Sequence, residues 1–548
     1  MIRYAVIADP HVHACDWVPT GSPLTGAVRS FADTAASTRV FNESVPAFRA
    51  ALQRVVDAGI KVVLLAGDLT DDGQRPNIDA ALAIIEEFHT RHGLRVFATP
   101  GNHDFFALEG RPQRKAFLLP NGDSVLLDSA DCPEARTMGT APALELCSLL
   151  GYQPQAGDLY WESPFGTDPA WERRSYRVTS PDGTAACTMV DASYLVEPVP
   201  GLWVLSIDAN VCVPRSGAVS LDDPGSFFDP TDGGWDAVMN HRAHLLPWMS
   251  DVARRAREQG KALVAFSHYP VVDVFGGADE RERTLLTASA LARRLPSARA
   301  TAAFARTGVQ LHFSGHLHVN DTARHVSAHG GFINIAVPSP VGYGAALKLV
   351  TQSAAEIAVT TIPLVEAEGF DAAYIAYQNE AKQAGALPPA ACRAANHGQF
   401  MDRHLRELVH NRYLPREWPE EMAAFIRQGT MSDLLGLLNL ADEPEWDYPL
   451  TEFVQDWYRL RKAGELGRRD VGRQRLSFYR RLCRLAAPGE RSGLAASMAE
   501  VIALLGIYID RLPNEDYSIL LPSLAVSSSP HAVITDERSF ATQRASAS

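Results

Sequence analysis

The feature that most constrains this chain is a series of short apolar runs, separated by helical segments or long loops. The runs fall at residues 2–8, 60–66, 94–98, 203–207, 262–266 and 309–313. Residues 45–58, 78–92 and 241–259 carry apolar side chains at helical spacing between them. Buried strands alternating with helices predict a largely parallel sheet layered by helices. From Asp321 to about Pro363 the text turns β-rich, with short strands at 332–336 and 357–362.

Two stretches interrupt the alternation. Residues 13–44 form a long loop rich in Gly, Pro, Ser and Thr, and residues 105–200 form an insertion between the third and fourth strands. Segments of this kind serve as lids and binding loops, or only brace the fold. The expected division is 1–365 for the α/β domain, 366–525 for a helical C-terminal domain and 526–548 for a disordered Ser-rich tail. In the helical part, Met498, Val501, Leu505 and Tyr508 share one face and read as a core stripe. Residues 457–484 carry ten Lys or Arg against Glu465 and Asp470, which reads as a solvated helix face or as a contact for an anionic ligand or a partner subunit.

At 548 residues, two or more domains are expected. The formal charge of −13 argues against a nucleic-acid partner. Seven cysteines without a CxxC pair suggest neither a disulfide framework nor a zinc knuckle. The opening MIRYAVIADPH lacks a secretory leader, and no run of about 18 apolar residues suggests a membrane span. A cytoplasmic protein with reduced thiols is the expectation.

The chemistry is concentrated where the runs end. They lead into Asp9-Pro10-His11, Gly67-Asp68, Gly101-Asn102-His103-Asp104, Ser267-His268 and Gly315-His316-Leu317-His318. The carboxyl ends of parallel strands share one edge, where ligands bind. Carboxylate, imidazole and amide oxygen suit Mn, Fe or Zn better than a thiolate-seeking metal. The two-residue spacings Asp9–His11 and His316–His318 predict an extended backbone that points each pair one way. Singly, Asp-x-His and Gly-Asp occur by chance. The ordered set of five, all at strand ends, is hard to reach by accident.

This series resembles the calcineurin-like metallophosphoesterase superfamily over about the first 360 residues. The resemblance implies a four-layer αββα sandwich, to which this chain adds the helical region. It also implies two metal ions, with Asp9, His11 and His318 as ligands of one. Asn102, His268 and His316 would bind the other, and Asp68 would bridge them. A hydroxide shared by the ions would attack phosphorus. His103 would assist the leaving group, with Asp104 orienting it. The wording GDLTDDG followed by GNHD is similar to bacterial cyclic-nucleotide and glycerophosphodiester phosphodiesterases. A phosphodiesterase acting on a small phosphoester is therefore the first expectation. A phosphomonoesterase or nucleotide pyrophosphohydrolase is second, ahead of a DNA nuclease or a non-catalytic scaffold of the same fold. Arg39, Asn42 and Tyr269 are candidate substrate contacts. His13 is expected to face solvent, and the helical region is a candidate homo-oligomer surface.

Overall fold

The computed structural model describes residues 1–286, 289, 294–440, 447–486 and 491–528. In chain order the strands are β1 (Ile2–Ile7), β2 (Val62–Ala66), β3 (Arg95–Thr99), β4 (Arg114–Leu118), β5 (Ser124–Asp128), β6 (Tyr160–Glu162), β7 (Ser175–Thr179), β8 (Ala186–Val190) and β9 (Tyr194–Val199). They continue with β10 (Leu202–Ser206), β11 (Ala262–Ser267), β12 (Leu311–Ser314), β13 (Asp321–Ser327), β14 (Gly330–Ala336), β15 (Ala346–Gln352), β16 (Glu356–Pro363), β17 (Asp516–Leu520) and β18 (Ala525–Ser528). Among the described residues, fourteen of these form two seven-stranded sheets, in the orders β18-β17-β16-β15-β1-β2-β3 and β13-β14-β12-β11-β10-β9-β6. β1, β2 and β3 run parallel, as do β10, β11, β12 and β14. The outer strands are antiparallel.

Apolar side chains on both faces of central strands such as β2 and β10 make the four layers. On β10, Leu202 and Val204 join the core shared by the two sheets, while Trp203 and Leu205 pack with Met249 and Val252 of the helix Leu245–Glu258. Across the sandwich the Tyr4 ring meets Phe313 edge-on at 6.3 Å. Phe48, Leu52 and Val55 from the helix Ser44–Asp57 cover the outer side of the first sheet. Burying each such side chain contributes about 1.5–3 kcal/mol. The helix Arg75–His92 begins with Pro76 in its first turn and stops at Gly93, whose φ of 66° is left-handed. This is the usual proline-start, glycine-stop pairing.

The C-terminal region departs from the purely helical expectation. Its helices Leu450–Ala463 and Gly493–Ile509 build a second core, and the stripe Met498, Val501, Leu505 and Tyr508 lies fully inside it. The chain then returns as β17 and β18, which extend the first sheet from β16. Unlike β2 and β10, β17 sets polar Asp516 and Ser518 next to Tyr517 and Ile519, so it offers no unbroken apolar run. β18 also takes residues 526–528 from the expected tail, and 529–548 lies outside the described residues.

The 457–484 run is not one solvated face. Arg459 pairs with Asp402 at 2.6 Å, Arg461 with Glu282 and Arg475 with Glu452 at 2.8 Å. Arg461 and Lys462 are buried, whereas Arg473, Arg480 and Arg484 do reach solvent. The insertion is likewise partly structural, because β6 and β9 are members of the second sheet. No helix among the described residues is long and apolar enough to cross a membrane. All seven cysteines are free thiols.

Candidate metal centre at the sheet edge

The loops after β1, β2, β3, β11 and β12 converge because two glycines let the chains touch. A Cβ on Gly67 would fall 2.5 Å from the His268 ring, and one on Gly315 would fall 2.5 Å from the Asp9 carboxylate. Gly67 also has a φ of 84°, open only to glycine without cost. Around them the ligand residues themselves are bent. Asp9, His11, Asp68, His316 and His318 have φ values of 53°, 44°, 50°, 68° and 51°. The extended backbone expected for the two paired motifs is thus replaced by left-handed turns, which send His316 and His318 to different places. His318 joins Asp9 and His11, and His316 joins Asp68 and His268.

In each trio the ligand atoms lie within 4.8 Å of one another, and all six residues are buried. Nε2 of His11 and Nε2 of His318 face each other at 3.0 Å. In the second trio His316 Nδ1 is 3.1 Å from His268 Nε2, and the Asn102 amide oxygen is 3.1 Å from that same nitrogen. One oxygen of Asp68 stands 3.6 Å from His11 Nε2 and 3.3 Å from His268 Nε2, between the trios. Its other oxygen accepts the His103 backbone N–H at 2.8 Å. Asp9 is pinned by the His316 N–H at 2.9 Å, and its carbonyl accepts from the Ser339 hydroxyl at 2.7 Å.

The electrostatics fit cations. Burial lowers the pKa of His11, of His316 and of His318, leaving neutral imidazoles. Burial opposes ionisation of Asp68, yet His268 and His103 beside it hold its carboxyl well below the usual range. Burial also disfavours a charged His268, but Asp68 lifts it to about 9. Buried lone pairs that face each other across 3.0 Å repel unless a proton or a cation lies between them. Nitrogen and oxygen donors without a thiolate suit borderline divalent ions, so the residues present fit two of them.

Beyond the ligands, several expectations change. The carboxylate on His103 belongs to Asp72, whose oxygen is 2.9 Å from Nδ1. Asp104 instead accepts the backbone N–H groups of Gly101 at 2.8 Å and Thr70 at 3.1 Å, so it shapes the turn. Burial and the nearby Asp68 raise its pKa to about 7. Lys115 ion-pairs with Asp72 and, at 2.8 Å, with Asp71. Arg39 bonds Asp71 at 2.6 Å and comes within 3.4 Å of His103 Nδ1, so it does border the site.

Asn42 does not reach the site. Its amide donates to the Arg29 carbonyl and to the Tyr377 hydroxyl and accepts the Arg29 N–H, which consumes it in the loop. Tyr269 packs its ring 4.5 Å from His316 and donates its hydroxyl to the Pro230 carbonyl at 2.9 Å. His13 is buried rather than solvent-facing, stacked on Phe117 with Nε2 2.7 Å from the Ala27 carbonyl. The acidic pair of GDLTDDG was the available signal for Asp72. Lys115 lies in a hairpin 43 residues further on and had none.

Residues 2–145 match the family model described as calcineurin-like phosphoesterase. No curated protein matches the chain. Among solved structures, a dimetal phosphatase from Danio rerio is 16% identical, with 67% of this chain and 97% of that one covered and a TM-score of 0.37. A purple acid phosphatase from yellow lupin (Lupinus luteus) seeds is 11% identical, with 66% and 51% covered and a TM-score of 0.32. The matched residues 2–145 include Asp9, His11, Asp68, Asn102 and His103 and are similar to the family that the motif series resembles.

Proposed function

We propose that this protein is a two-metal phosphoesterase acting on phosphodiesters. The observation that carries the reading is the pair of buried ligand trios with Asp68 between them. Asp9, His11 and His318 would hold one ion, Asn102, His268 and His316 the other, and Asp68 both. Such a pair supplies Lewis acidity toward the phosphoryl oxygens and a nucleophile derived from water at neutral pH.

The chain's own residues supply the rest. His103 is partly exposed, and its ring stands edge-on to His11 at 5.1 Å. A proton on Nδ1 donated to Asp72 leaves Nε2 to pass a proton to the departing oxygen. Burial disfavours the charged form of Asp72, but Lys115 keeps its carboxyl below the usual range, so it stays an acceptor. Arg39, held by Asp71, adds a guanidinium at the same edge. The preference for diesters is supported by the motif wording. Within the basic run, Arg459, Arg461 and Arg475 are tied up in ion pairs, which weighs against a nuclease that would use the run as its DNA contact.

Asp68→Ala tests the reading. With Mn, Fe or Zn supplied, the wild type should hydrolyse bis(p-nitrophenyl) phosphate faster than p-nitrophenyl phosphate. The variant should lose turnover and bind fewer than two ions per chain by elemental analysis. Retained turnover in the variant would sink the assignment, and a wild-type preference for the monoester would overturn the diester choice.

A further inference from the structure

Lys462 is the second-to-last residue of the helix Leu450–Ala463 and only 4% exposed. That helix end is seated against the segment that continues from His318. The Asn320 N–H donates to the Lys462 carbonyl at 2.7 Å, and its side-chain amide donates to the Ala463 carbonyl at 3.2 Å. The approach is close, since a Cβ on Gly344 would meet the Ala463 Cβ at 2.7 Å. The Lys462 charge acts on the imidazoles of His318 and His404. Through Asn320, two residues beyond His318, this helix end is joined to the segment that carries one member of the first trio.

Arg461 and Arg412, the cations that act on it, are engaged, as are Arg39 and Lys115 near the site. Arg461 pairs with Glu282, Arg412 with Glu417 at 3.5 Å, Arg39 with Asp71 at 2.6 Å and Lys115 with Asp71 at 2.8 Å. Lys462 has neither a carboxylate within ion-pair distance nor a hydrogen bond to its ammonium among the described residues. The same molecule shows how it satisfies a buried lysine when the role is structural. Lys348 donates to the Asn320 side chain at 2.5 Å, the Thr361 hydroxyl at 2.6 Å and the Asn514 carbonyl at 2.9 Å. An ammonium withdrawn from water without such partners is costly. Burial, then Arg461 beside it, pushes its pKa down to about 7, which an adjacent anion would reverse.

We propose that Lys462 binds an anionic group of the substrate other than the phosphoryl group being cleaved, so that the preferred substrates are phosphoesters carrying a carboxylate or a second phosphate. This rests on the phosphoesterase reading and deepens it. The helical C-terminal region then has a role at the site, as the element that brings a substrate-binding cation beside His318.

The test is calorimetric binding to the full chain supplemented with Mn, using sn-glycerol 3-phosphate and 3-phosphoglycerate. The two share a phosphate and a three-carbon backbone, and only the second carries a carboxylate. The wild type should bind 3-phosphoglycerate about tenfold more tightly, one charge-assisted contact's worth. Lys462→Met should bring the two affinities level, and Lys462→Arg should keep the preference. Equal affinities in the wild type, a preference that survives in Lys462→Met, or binding of neither compound overturns the proposal. Turnover of bis(p-nitrophenyl) phosphate, which has no anionic tail, is followed in the wild type. Its absence overturns the phosphoesterase reading, whereas turnover without a tail preference overturns only the role of Lys462.

Discussion

Left-handed backbone at a residue with a side chain costs on the order of 1–3 kcal/mol and survives only where the surroundings insist on it. Five of the candidate ligands adopt it, held by a lattice of main-chain bonds. Asp9 N–H reaches the Gly67 carbonyl at 3.1 Å, His11 N–H the Asp68 carbonyl at 3.0 Å, and Gly315 N–H the His268 carbonyl at 2.9 Å. The strain thus falls on residues of the two candidate ligand trios, including Asp68 between them. Asp72 and His103 form the other residue-scale device. His103→Ala should slow alkyl phosphodiesters by about 100-fold or more while nitrophenyl esters, whose leaving groups need no proton, lose far less. Asp72→Asn should show the same leaving-group dependence at smaller amplitude, with metal content unchanged. Equal losses on both ester types, or loss of metal from Asp72→Asn, would remove the pair from proton transfer. Which acid contacts His103 was misjudged from the sequence because adjacency in the chain favoured Asp104. The turn that Asp104 builds, with its carboxylate on Gly101 and Thr70, faces it away and leaves the place to Asp72.

At the scale of elements, the parallel strands and their ligand-bearing ends were legible because unbroken apolar runs and Gly-flanked Asp and His are local patterns. The long loop over residues 13–44 was not, since its order comes from partners more than 300 residues away. Tyr377 donates to Glu43 at 2.9 Å, Glu380 accepts the Phe31 N–H at 2.6 Å, and His404 contacts the Thr34 carbonyl at 2.8 Å. The Glu43 clip gives a pH signature. Burial raises its carboxyl from 4.5 to about 7, and its second oxygen has no partner. The folded-state value lies above the unfolded one. The stability it contributes is therefore full below about 4.5 and is lost as pH rises through about 7. A shift of that size corresponds to on the order of 3 kcal/mol. Glu43→Gln keeps an acceptor for Tyr377 but does not titrate. Its stability by urea unfolding should fall less between pH 5 and pH 8 than that of the wild type. Identical pH dependences would show that Glu43 ionises normally.

At the scale of the molecule, the helical region is continuous with the α/β part. Its core takes in Val274 and Phe275 after β11, Leu317 and Val319 on either side of His318, and Tyr343 and Ala346 at β15. Composition alone placed a boundary near 366 because it registers the loss of strands and cannot register where helices dock. The ionic anchor of that docking is Arg461, which donates to Glu282 at 2.8 Å from Nε. Glu282 belongs to the helix Asp279–Leu285, and Tyr508 also donates to it, at 2.5 Å. Both members of the pair are buried. Removing one partner of such a pair strands a charge at a cost of about 3–5 kcal/mol, whereas replacing both is far cheaper. Arg461→Met should accordingly lower unfolding stability by that amount, and Arg461→Met with Glu282→Gln should recover most of it. Because Leu317 and Val319 sit in the same core, the single variant should also weaken metal binding at His318, measured by titration of the metal-free protein, and the double variant should restore it. Loss of stability with metal affinity untouched would mean that the helical region docks on the sandwich without steadying its candidate metal centre.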